Sequence, residues 1–452
     1  MISIKNARFA DGKFYSFTIS NSCFSGVFTQ ESLEAVLPST VSLQRYAELS
    51  ADPDFAAKNQ QLNVDAGGAL LVPAAIDVHV HSRDPGFPEK ETWGSLAQAA
   101  FRGGVVAVVD MPNTVPPTLG REELLDKAER SRRTPLEARF LLGVSSNNLE
   151  VLAPLLQDPS LPLSGLKIFY GQSTGNLQFA DLEGLAGKLP QFQNYRLVFH
   201  AEDQCCIDDN SRALSLSGAY ASLGGSYAVH SMLRDSNSAL QATAAIVGWA
   251  KRWQRAVHIA HVSTPAEMAL IVAARAEGVL VSAEVCPHHL LLSTDDYQRL
   301  AGFLTVNPPV RSRQEVSALR RYFVGGAIDC FASDHAPHTR REKLRPYPQC
   351  PSGVPSLEFF WPLFYRAVLA SGGSIPDLLS MVSLTPATLF GFTGLGGLRS
   401  GLRASWVWLT PQEGQIASTD IRAQCQWSPY LGDPAVVSTQ ATWQDGICRY
   451  LG

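Results

Sequence analysis

The chain has 452 residues, of which 45% are apolar, and a formal net charge of −4. This length is sufficient for a large core and for two or three domains, although a single α/β barrel can absorb about 250 residues or more. Charges of both signs are scattered along the sequence, so no basic face for nucleic acid or an anionic membrane is predicted. We therefore expect a small molecule as the binding partner.

Eight cysteines are irregularly spaced, without a CxxC pair, and several lie in apolar, strand-like segments. This usage is typical of reduced, buried thiols in a cytoplasmic protein. The first residues, Met1–Asn6, alternate like a strand and lack the apolar core of a signal peptide. The longest uncharged apolar stretches, near 67–76 and 239–250, are well short of the ~20 residues that span a bilayer. A cytoplasmic location is the resulting expectation.

The first 70 residues predict a small β layer. Short alternating segments, with Gly and Asp at the turns, cover Ile2–Phe9, Phe14–Ile19 and Ser25–Thr29. The part from Gln30 to Gln61 is polar and interrupted by proline, and it is predicted to be an irregular insertion.

From Leu70 onward, apolar strands alternate with amphipathic helices. Eight strands are predicted there: Leu71–His81, Val105–Asp110, Ala138–Val144, Gly165–Phe169, Arg196–His200, Ala256–His261, Val279–Val285 and Ala327–Ser333. Eight such units over about 300 residues are typical of a TIM-like (β/α)8 barrel, whereas a doubly wound sheet would not explain the residues at the strand ends. The predicted domains are a barrel over 71–390 and a small β-sandwich formed by 1–70 and 391–452.

The segment DVHVHSRDPG, residues 77–86, follows the apolar run 69–76. Residues two apart on a strand point to the same side, so His79 and His81 present their imidazoles together, as a metal site requires. A His-X-His pair alone is commonly a surface or core accident. Its position at the C-terminal mouth of a barrel strand, where catalytic residues gather, favours a metal site.

Polar residues lie at four other predicted strand ends. Strand four carries Lys167 in an apolar run, and such a lysine is usually neutralised, paired or chemically used, with snorkelling at a strand edge as the alternative. Strand five ends in His200. Strand six contains His258 and His261, which are three residues apart and so point to opposite sides of the strand. His261 is nearer the C-terminal end and is assigned to the site, whereas His258 is assigned to packing or to support of the site. Strand eight runs into Asp334, which could ligate a metal, carry a proton, or do both.

These four histidines, one lysine and one aspartate lie at one end of the predicted barrel, and a chance collection of core histidines would not concentrate there. Zinc accepts this set of nitrogen and oxygen donors. A lysine ammonium cannot be a ligand, but a carbamate formed from the neutral amine and carbon dioxide is a carboxylate able to bridge two cations. Two such cations would hold and acidify a shared water.

Eight motifs occur in order along the predicted barrel: HVHSRDPG (79–86), MPNT (111–114), GLK (165–167), HAED (200–203), HVST (261–264), CPHH (286–289), VNPP (306–309) and ASDHAPH (332–338). Together they resemble the dihydroorotase family, in the cyclic-amide hydrolase branch of the amidohydrolase superfamily. The resemblance covers the whole predicted barrel, 70–390. The sequence departs from the family pattern at Ser82 and Asp84, where Leu and Glu are usual, at Pro73-Ala74, and at 401–406 in the small β domain.

The resemblance implies a hydrolase that interconverts L-dihydroorotate and N-carbamoyl-L-aspartate in de novo pyrimidine synthesis. It implies two zinc ions, bridged by carbamylated Lys167 and a hydroxide, whose ligands are His79, His81, Lys167, His200, His261 and Asp334. Asp334 would also carry the proton. Arg83, Asn113 and His338 would bind the substrate carboxylate, and Asn307 would contact the ring.

Two alternatives remain open. A hydantoinase or allantoinase would share the metal residues, but its substrates lack the carboxylate that Arg83 and Asn113 match. A catalytically inactive relative that serves as an assembly partner would typically have lost ligands, whereas all six are present. We expect a small anionic substrate and no nucleic-acid or membrane partner, and a homodimer is the expected assembly.

Three further segments carry predictions. His288 and His289 are metal-like, but adjacent residues on a strand face opposite ways, so we do not expect both to be ligands. Glu284 and His288 share a parity and are predicted to support the site. The loop over 171–176 is hydroxyl-rich and is a candidate lid, although an ordinary βα loop fits it equally well.

Overall fold

The computed structural model describes residues 1–30, 39–52, 55, 61–172, 177–188, 196–216 and 226–452. Residues 173–176 of the candidate lid (171–176) lie outside the described residues, so the lid stays a prediction. Of the predicted insertion, residues 31–38, 53–54 and 56–60 also lie outside them.

The N-terminal segment contributes six strands to the first sheet. They are β1 (Ile2–Arg8), β2 (Phe14–Ser20), β3 (Cys23–Gln30), β4 (Val41–Ser42), β5 (Leu62–Asp65) and β6 (Leu70–Pro73). β1 pairs antiparallel with β2 and parallel with β5 and β6. Alternate side chains such as Ile4, Phe17 and Phe24 are buried in a core of their own. The alternation in the sequence therefore predicted the first three strands correctly.

Within the predicted insertion, the chain is regular over residues 41–50. β4 leads into a helix, Leu43–Ser50, whose N-cap Ser42 accepts a hydrogen bond from the Arg45 N–H at 3.2 Å. Leu43 and Tyr46 are buried on the core side of this helix. The prediction of irregular structure is wrong here, because this mostly polar stretch contains a short amphipathic helix with an N-cap residue.

The second sheet contains eight strands: β7 (Ala75–Val80), β8 (Val105–Asp110), β9 (Glu137–Gly143), β10 (Leu163–Phe169), β11 (Arg196–His200), β12 (Val257–Ile259), β13 (Val281–Val285) and β14 (Cys330–Phe331). Each strand pairs in parallel with the next one in the chain. A bridge between Val80 and His335, with a 2.8 Å hydrogen bond from the His81 N–H to the His335 carbonyl, joins the last strand to the first. The predicted (β/α)8 barrel is confirmed.

Three C-terminal strands complete the first sheet: β15 (Trp406–Pro411), β16 (Val437–Gln444) and β17 (Ile447–Leu451). β15 pairs antiparallel with β6 and β16, and β16 pairs antiparallel with β17. The segment between β15 and β16 packs on the barrel core through Ile421, Trp427 and Tyr430. C-terminal residues thus reach the barrel as well as the first sheet.

The apolar run predicted as one strand, Leu71–His81, is divided between the two sheets. Its first part belongs to β6 in the first sheet, and its second part is β7 of the barrel. Every residue of β6 and β7 is buried. Hydropathy does not mark the division because the run is buried on both faces throughout.

Helices alternate with the barrel strands. In the described part of the chain the α-helices are Leu43–Ser50, Trp93–Arg102, Arg121–Ser131, Leu149–Gln157, Leu182–Lys188, Gln204–Leu216, Val229–Leu233, Ser236–Trp253, Pro265–Ala276, Pro287–Leu291, Tyr297–Leu300, Arg313–Val324, Arg340–Lys343, Phe360–Ala370, Ile375–Leu378 and Leu384–Phe390. Among these residues no single helix has the length and hydropathy to cross a membrane, and one pair of stretches bent by 118°, Leu357–Ala370 with Ile375–Phe390, meets that test only jointly.

Candidate active site

A polar pocket lies at the C-terminal ends of the barrel strands. Apart from His338, all the site residues predicted from the sequence line this pocket. Its lining is His79, His81, Arg83, Asn113, Lys167, Phe169, His200, His261, Asn307, Asp334, Ala336, Ser352 and Gly353.

Two histidines and an aspartate converge on one side of the pocket. His79 is the penultimate residue of β7, and His81 directly follows the strand. Because residues two apart on a strand point the same way, both rings lie on the same side. The Nε2 atoms of His79 and His81 lie 3.4 and 3.3 Å from the Asp334 Oδ1 atom. These three side chains form a group of donors able to hold a metal ion.

The other nitrogen of each of these rings has a partner. The His79 Nδ1 atom contacts the Glu284 carboxylate, and the His81 Nδ1 atom lies 2.6 Å from the Asn113 Oδ1 atom. An imidazole that donates through Nδ1 has its lone pair on Nε2, so both rings present Nε2 as the donor for a cation. Burial lowers the pKa of both histidines, which favours the neutral form that a metal needs.

A second pair of histidines, His200 and His261, lies beside the first group, with the ring centroids of His79 and His261 5.2 Å apart. The His200 Nδ1 atom is 3.1 Å from the His261 Nε2 atom. The His200 Nε2 atom lies 3.0 Å from Glu202, which Arg234 holds at 2.8 Å. Burial alone would raise the pKa of Glu202, but Arg234 and His200 lower it overall. Glu202 thus stays ionised and fixes the orientation of His200. The motif around His200 showed the carboxylate, but nothing in the sequence indicated Arg234.

Lys167 lies between these groups on β10 and is 1% exposed. Its Nζ atom has no hydrogen-bond partner among the described residues, and burial lowers its pKa to about 8. Gly165, with φ of +154°, lets β10 approach β11, because a Cβ there would lie 2.2 Å from the Arg196 carbonyl oxygen. A buried amine without a partner is costly, so the site fits a chemical modification or a bound ion at this atom.

Three site residues have positive φ angles: Arg83 at 60°, His261 at 39° and Asp334 at 45°. Non-glycine residues rarely adopt this left-handed region, and such strain concentrates at functional sites. Each of them follows a barrel strand, so the turn at the end of the strand aims the side chain into the pocket.

Arg83 is 3% exposed and is held by the loop after β14. Its Nε–H donates to the Pro337 carbonyl at 3.0 Å, and its Nη2 atom lies 3.2 Å from the His338 Nε2 atom. The Trp427 Nε1–H donates to the His338 carbonyl at 2.7 Å. Burial lowers the pKa of Arg83 to about 10, so it remains charged at neutral pH. Sequence reasoning missed Trp427, because it comes from a C-terminal segment with no motif.

A buried ion pair supports the turn that carries Arg83. The Asp110 carboxylate accepts from the Ser82 N–H at 2.7 Å and from the Ser82 hydroxyl at 2.9 Å. The Lys127 ammonium lies 2.7 Å from the same carboxylate. Ser82 is a position where the sequence departs from the family pattern, and its hydroxyl is used in this contact.

Glu284 and His258 support the His79 side of the pocket. The Glu284 Oε2 atom is 3.0 Å from the His258 Nε2 atom, and the His261 N–H donates to Glu284 Oε1 at 3.1 Å. Burial alone would raise the pKa of Glu284, but His79 and His258 lower it overall. The predicted supporting places of Glu284 and His258 agree with these contacts.

His288 and His289 do not lie on a strand. They belong to the short helix Pro287–Leu291, in which consecutive residues are about 100° apart, and both are buried with ring centroids 4.3 Å apart. The argument that they must face opposite ways is therefore wrong, because Pro287 at the first helical position ends the strand.

Comparisons with known proteins place the chain in a family. No family model matches it. Dihydroorotases of Methanosarcina acetivorans and Halobacterium salinarum are each 33% identical to it, over 395 and 383 residues; the alignments cover 85% and 84% of this chain and 82% and 86% of those proteins. A dihydroorotase of Staphylococcus epidermidis is 30% identical over 392 residues, which cover 86% of this chain and 89% of that protein. The chain belongs to the dihydroorotase family. The resemblance predicted from the eight motifs is thereby confirmed.

Solved structures extend the likeness beyond the dihydroorotase family at the level of the fold. An L-hydantoinase (dihydropyrimidinase) from Arthrobacter aurescens has a TM-score of 0.83 at 21% identity and covers 100% of this chain and 96% of its own. A dihydropyrimidinase from Brevibacillus agri has a TM-score of 0.81 at 18% identity, with 99% and 95% covered. At these identities the likeness concerns the barrel with its second sheet and not the substrate.

Proposed function

We propose that this protein is a zinc-dependent dihydroorotase that reversibly hydrolyses L-dihydroorotate to N-carbamoyl-L-aspartate in de novo pyrimidine biosynthesis. Membership of the dihydroorotase family supports the reaction. The observation that carries the proposal is a buried guanidinium, Arg83, in the same pocket as the converging donors of His79, His81 and Asp334. A substrate with both a carboxylate and a hydrolysable amide matches this combination.

The spacing of the donor atoms fits zinc. Ligands at about 2.0–2.1 Å from a tetrahedral zinc lie about 3.3 Å from one another. The His79 and His81 nitrogens are 3.4 and 3.3 Å from the Asp334 oxygen, and the His200 and His261 nitrogens are 3.1 Å apart. We propose that these five residues, with modified Lys167, hold two zinc ions.

The modification proposed for Lys167 is a carbamate. Its neutral amine adds carbon dioxide and releases a proton. This reaction converts a buried nitrogen without a hydrogen-bond partner into a carboxylate that two cations can share. The pKa near 8 that burial imposes makes the neutral amine accessible close to neutral pH. Lys167 lines the pocket together with both groups of donors, as a shared ligand must.

Two such cations, when bound, polarise an amide carbonyl and acidify a water. Asp334 accepts the proton of the attacking water and delivers it to the ring nitrogen as the carbon–nitrogen bond breaks. Burial raises the pKa of this carboxyl, which makes it a better proton acceptor than an exposed aspartate. In the direction of synthesis the same carboxyl moves the proton in reverse.

The substrate carboxylate is assigned to Arg83, Asn113 and His338. The planar fork of Arg83 suits a carboxylate, and its Nε–H bond to the Pro337 carbonyl holds it at the pocket wall before substrate arrives. Asn307 is assigned to the ring; its Oδ1 atom accepts from the Ser352 hydroxyl at 3.0 Å, so its amide nitrogen is the atom that can donate to a substrate carbonyl. A homodimer and a cytoplasmic location are retained as predictions.

The test is hydrolysis by purified, zinc-loaded protein of dihydroorotate, hydantoin and allantoin. We expect kcat/KM on dihydroorotate to exceed that on the other two by ~10²-fold, since only dihydroorotate pairs a carboxylate with Arg83. A higher value on hydantoin or allantoin would overturn the choice of substrate. Inactivity on all three, with zinc bound, would support an inactive assembly partner instead.

A further inference from the structure

A second cluster of donor side chains lies beside the pocket and has no part in the proposed reaction. Cys286 follows β13 and is the N-cap residue of the helix Pro287–Leu291, which carries His288 and His289. Cys286 and His288 are fully buried and His289 is 1% exposed. One donor atom from each of the three side chains lies within 4.8 Å of the other two.

The imidazoles of this cluster lack the partners that buried imidazoles normally have. Both ring nitrogens of His288, and the Nδ1 atom of His289, have no hydrogen-bond partner among the residues that the structure describes. Buried polar side-chain atoms are otherwise nearly always paired. One nitrogen of each ring lies within 4.8 Å of the thiol sulfur, so the cluster combines two imidazoles and a sulfur in one small space.

One of the two imidazoles is also oriented. The His289 Nε2 atom lies 3.0 Å from the Pro308 carbonyl, which can only accept, so Nε2 carries the proton and Nδ1 carries the lone pair. Metal-bound histidines are commonly fixed in this way, through a hydrogen bond from the other nitrogen to a backbone carbonyl. His289 is thus arranged as a ligand would be, with its lone pair on the unpartnered atom.

We propose that Cys286, His288 and His289 form a separate site for one divalent cation of the zinc class. Imidazole nitrogens and thiolate sulfur are both ligands that zinc accepts. The cation displaces the thiol proton to solvent and forms the metal–sulfur bond, with no change in oxidation state. Burial raises the pKa of the free thiol well above its usual value, so the thiolate forms only together with the cation.

The test is titration of metal-free protein with cobalt(II), followed by near-ultraviolet absorption, in which thiolate-to-cobalt charge transfer is specific for sulfur ligation. We expect the band in wild type, its loss in Cys286→Ser, and its retention in Cys330→Ser, a matched variant of another fully buried cysteine. Wild type should also bind one cation more per chain than Cys286→Ser by elemental analysis. Zinc should displace the cobalt and remove the band.

Two further variants keep the result interpretable. Lys167→Ala is expected to lose the proposed catalytic cations and to retain the charge-transfer band, so failure of the proposed function and failure of this site are distinguishable. His288→Phe keeps the thiol and the ring volume and should weaken cobalt binding at this site at least tenfold. Absence of the band in cobalt-loaded wild type, or equal metal content in wild type and Cys286→Ser, would overturn the proposal and leave a cluster that ordered water satisfies.

Discussion

The two halves of the pocket are built differently. The donor half consists of His79, His81, Lys167, His200, His261 and Asp334, which lie in barrel strands or within three residues after them. The anion half consists of Arg83, Asn113 and Asn307, which lie in loops three or more residues after the strands, together with His338, which contacts Arg83 from outside the pocket lining. Donor-half imidazoles are oriented by side chains such as Glu284 and Glu202, whereas Arg83 and His338 are held by backbone carbonyls and by Trp427.

This difference separates two tasks. Strand register places His79, His81, Lys167 and His200, and the turns after β12 and β14 place His261 and Asp334, so the geometry of the donor half follows from the barrel. Loop packing and a C-terminal segment fix the anion half, so its geometry can change without disturbing the donor half. We therefore expect substitutions in the donor half to affect metal content and all substrates, and substitutions in the anion half to affect the choice of substrate.

Lys167→Ala should have the largest effect, because it removes the proposed bridge of the donor half. We expect loss of bound zinc and a fall in activity well beyond the ~10²-fold typical of a residue that only supports a ligand. A small carboxylate at high concentration should partly restore both. Lys343→Ala removes a lysine that is equally buried but donates to the Thr305 and Pro351 carbonyls, and it should keep its zinc. Full zinc content and turnover in Lys167→Ala would exclude the carbamate.

Asp334→Asn should lower kcat by ~10²-fold or more while most of the zinc stays bound by the other ligands. The amide cannot accept the proton that the carboxylate is proposed to carry. Steady-state kinetics and zinc analysis on the same preparation measure the two effects. Asp329→Asn, on the same segment but paired with Arg275, is the matched control and should leave kcat unchanged. A near-normal kcat in Asp334→Asn would mean that another residue carries the proton.

Arg83→Lys and Arg83→Ala should keep their zinc but lose kcat/KM on dihydroorotate. Loss of a buried charge-assisted pair costs roughly 2 to 5 kcal/mol, or tens to thousands of times in kcat/KM. Lysine is a poor replacement because it cannot form the planar fork. Arg102→Lys, at a buried arginine paired with Asp420 and outside the pocket lining, serves as the control. Loss of zinc from the Arg83 variants would assign the residue to the donor half.

Glu284→Gln should have the smallest effect, a loss of ~10- to 100-fold in zinc affinity, since Glu284 orients His79 without being a ligand. Competition with a chelator of known affinity measures this change. Glu267→Gln is a suitable control because Glu267 is an equally buried carboxylate that caps the helix Pro265–Ala276. Unchanged zinc affinity in Glu284→Gln would show that the orientation of His79 does not depend on this contact.

The sequence predicted the barrel and the placement of the donor half because both follow from alternation along single strands. His79, His81 and Lys167 could be placed from a period of two and a change from apolar to polar residues at the strand end. The division of the run before His79 between two sheets could not be predicted, because β6 and β7 are equally buried.

The partners of the site residues were harder to predict. Arg234 and Trp427 are far in the chain from the residues that they contact, and neither belongs to a recognisable motif. The anion half was assigned through the family resemblance, since loop geometry has no period in the sequence. The helix of His288 and His289 was predictable in principle, because Pro287 after a strand is a typical helix start.

The separation of tasks between the two halves is tested most directly by the ratio of kcat/KM on dihydroorotate to kcat/KM on the neutral cyclic amide dihydrouracil. It should be measured at saturating zinc in wild type, Arg83→Ala and Glu284→Gln. We predict that the ratio falls at least tenfold in Arg83→Ala, where only the carboxylate contact is lost, and stays at the wild-type value in Glu284→Gln. A ratio that is unchanged in Arg83→Ala, or that falls equally in both variants, would contradict the account.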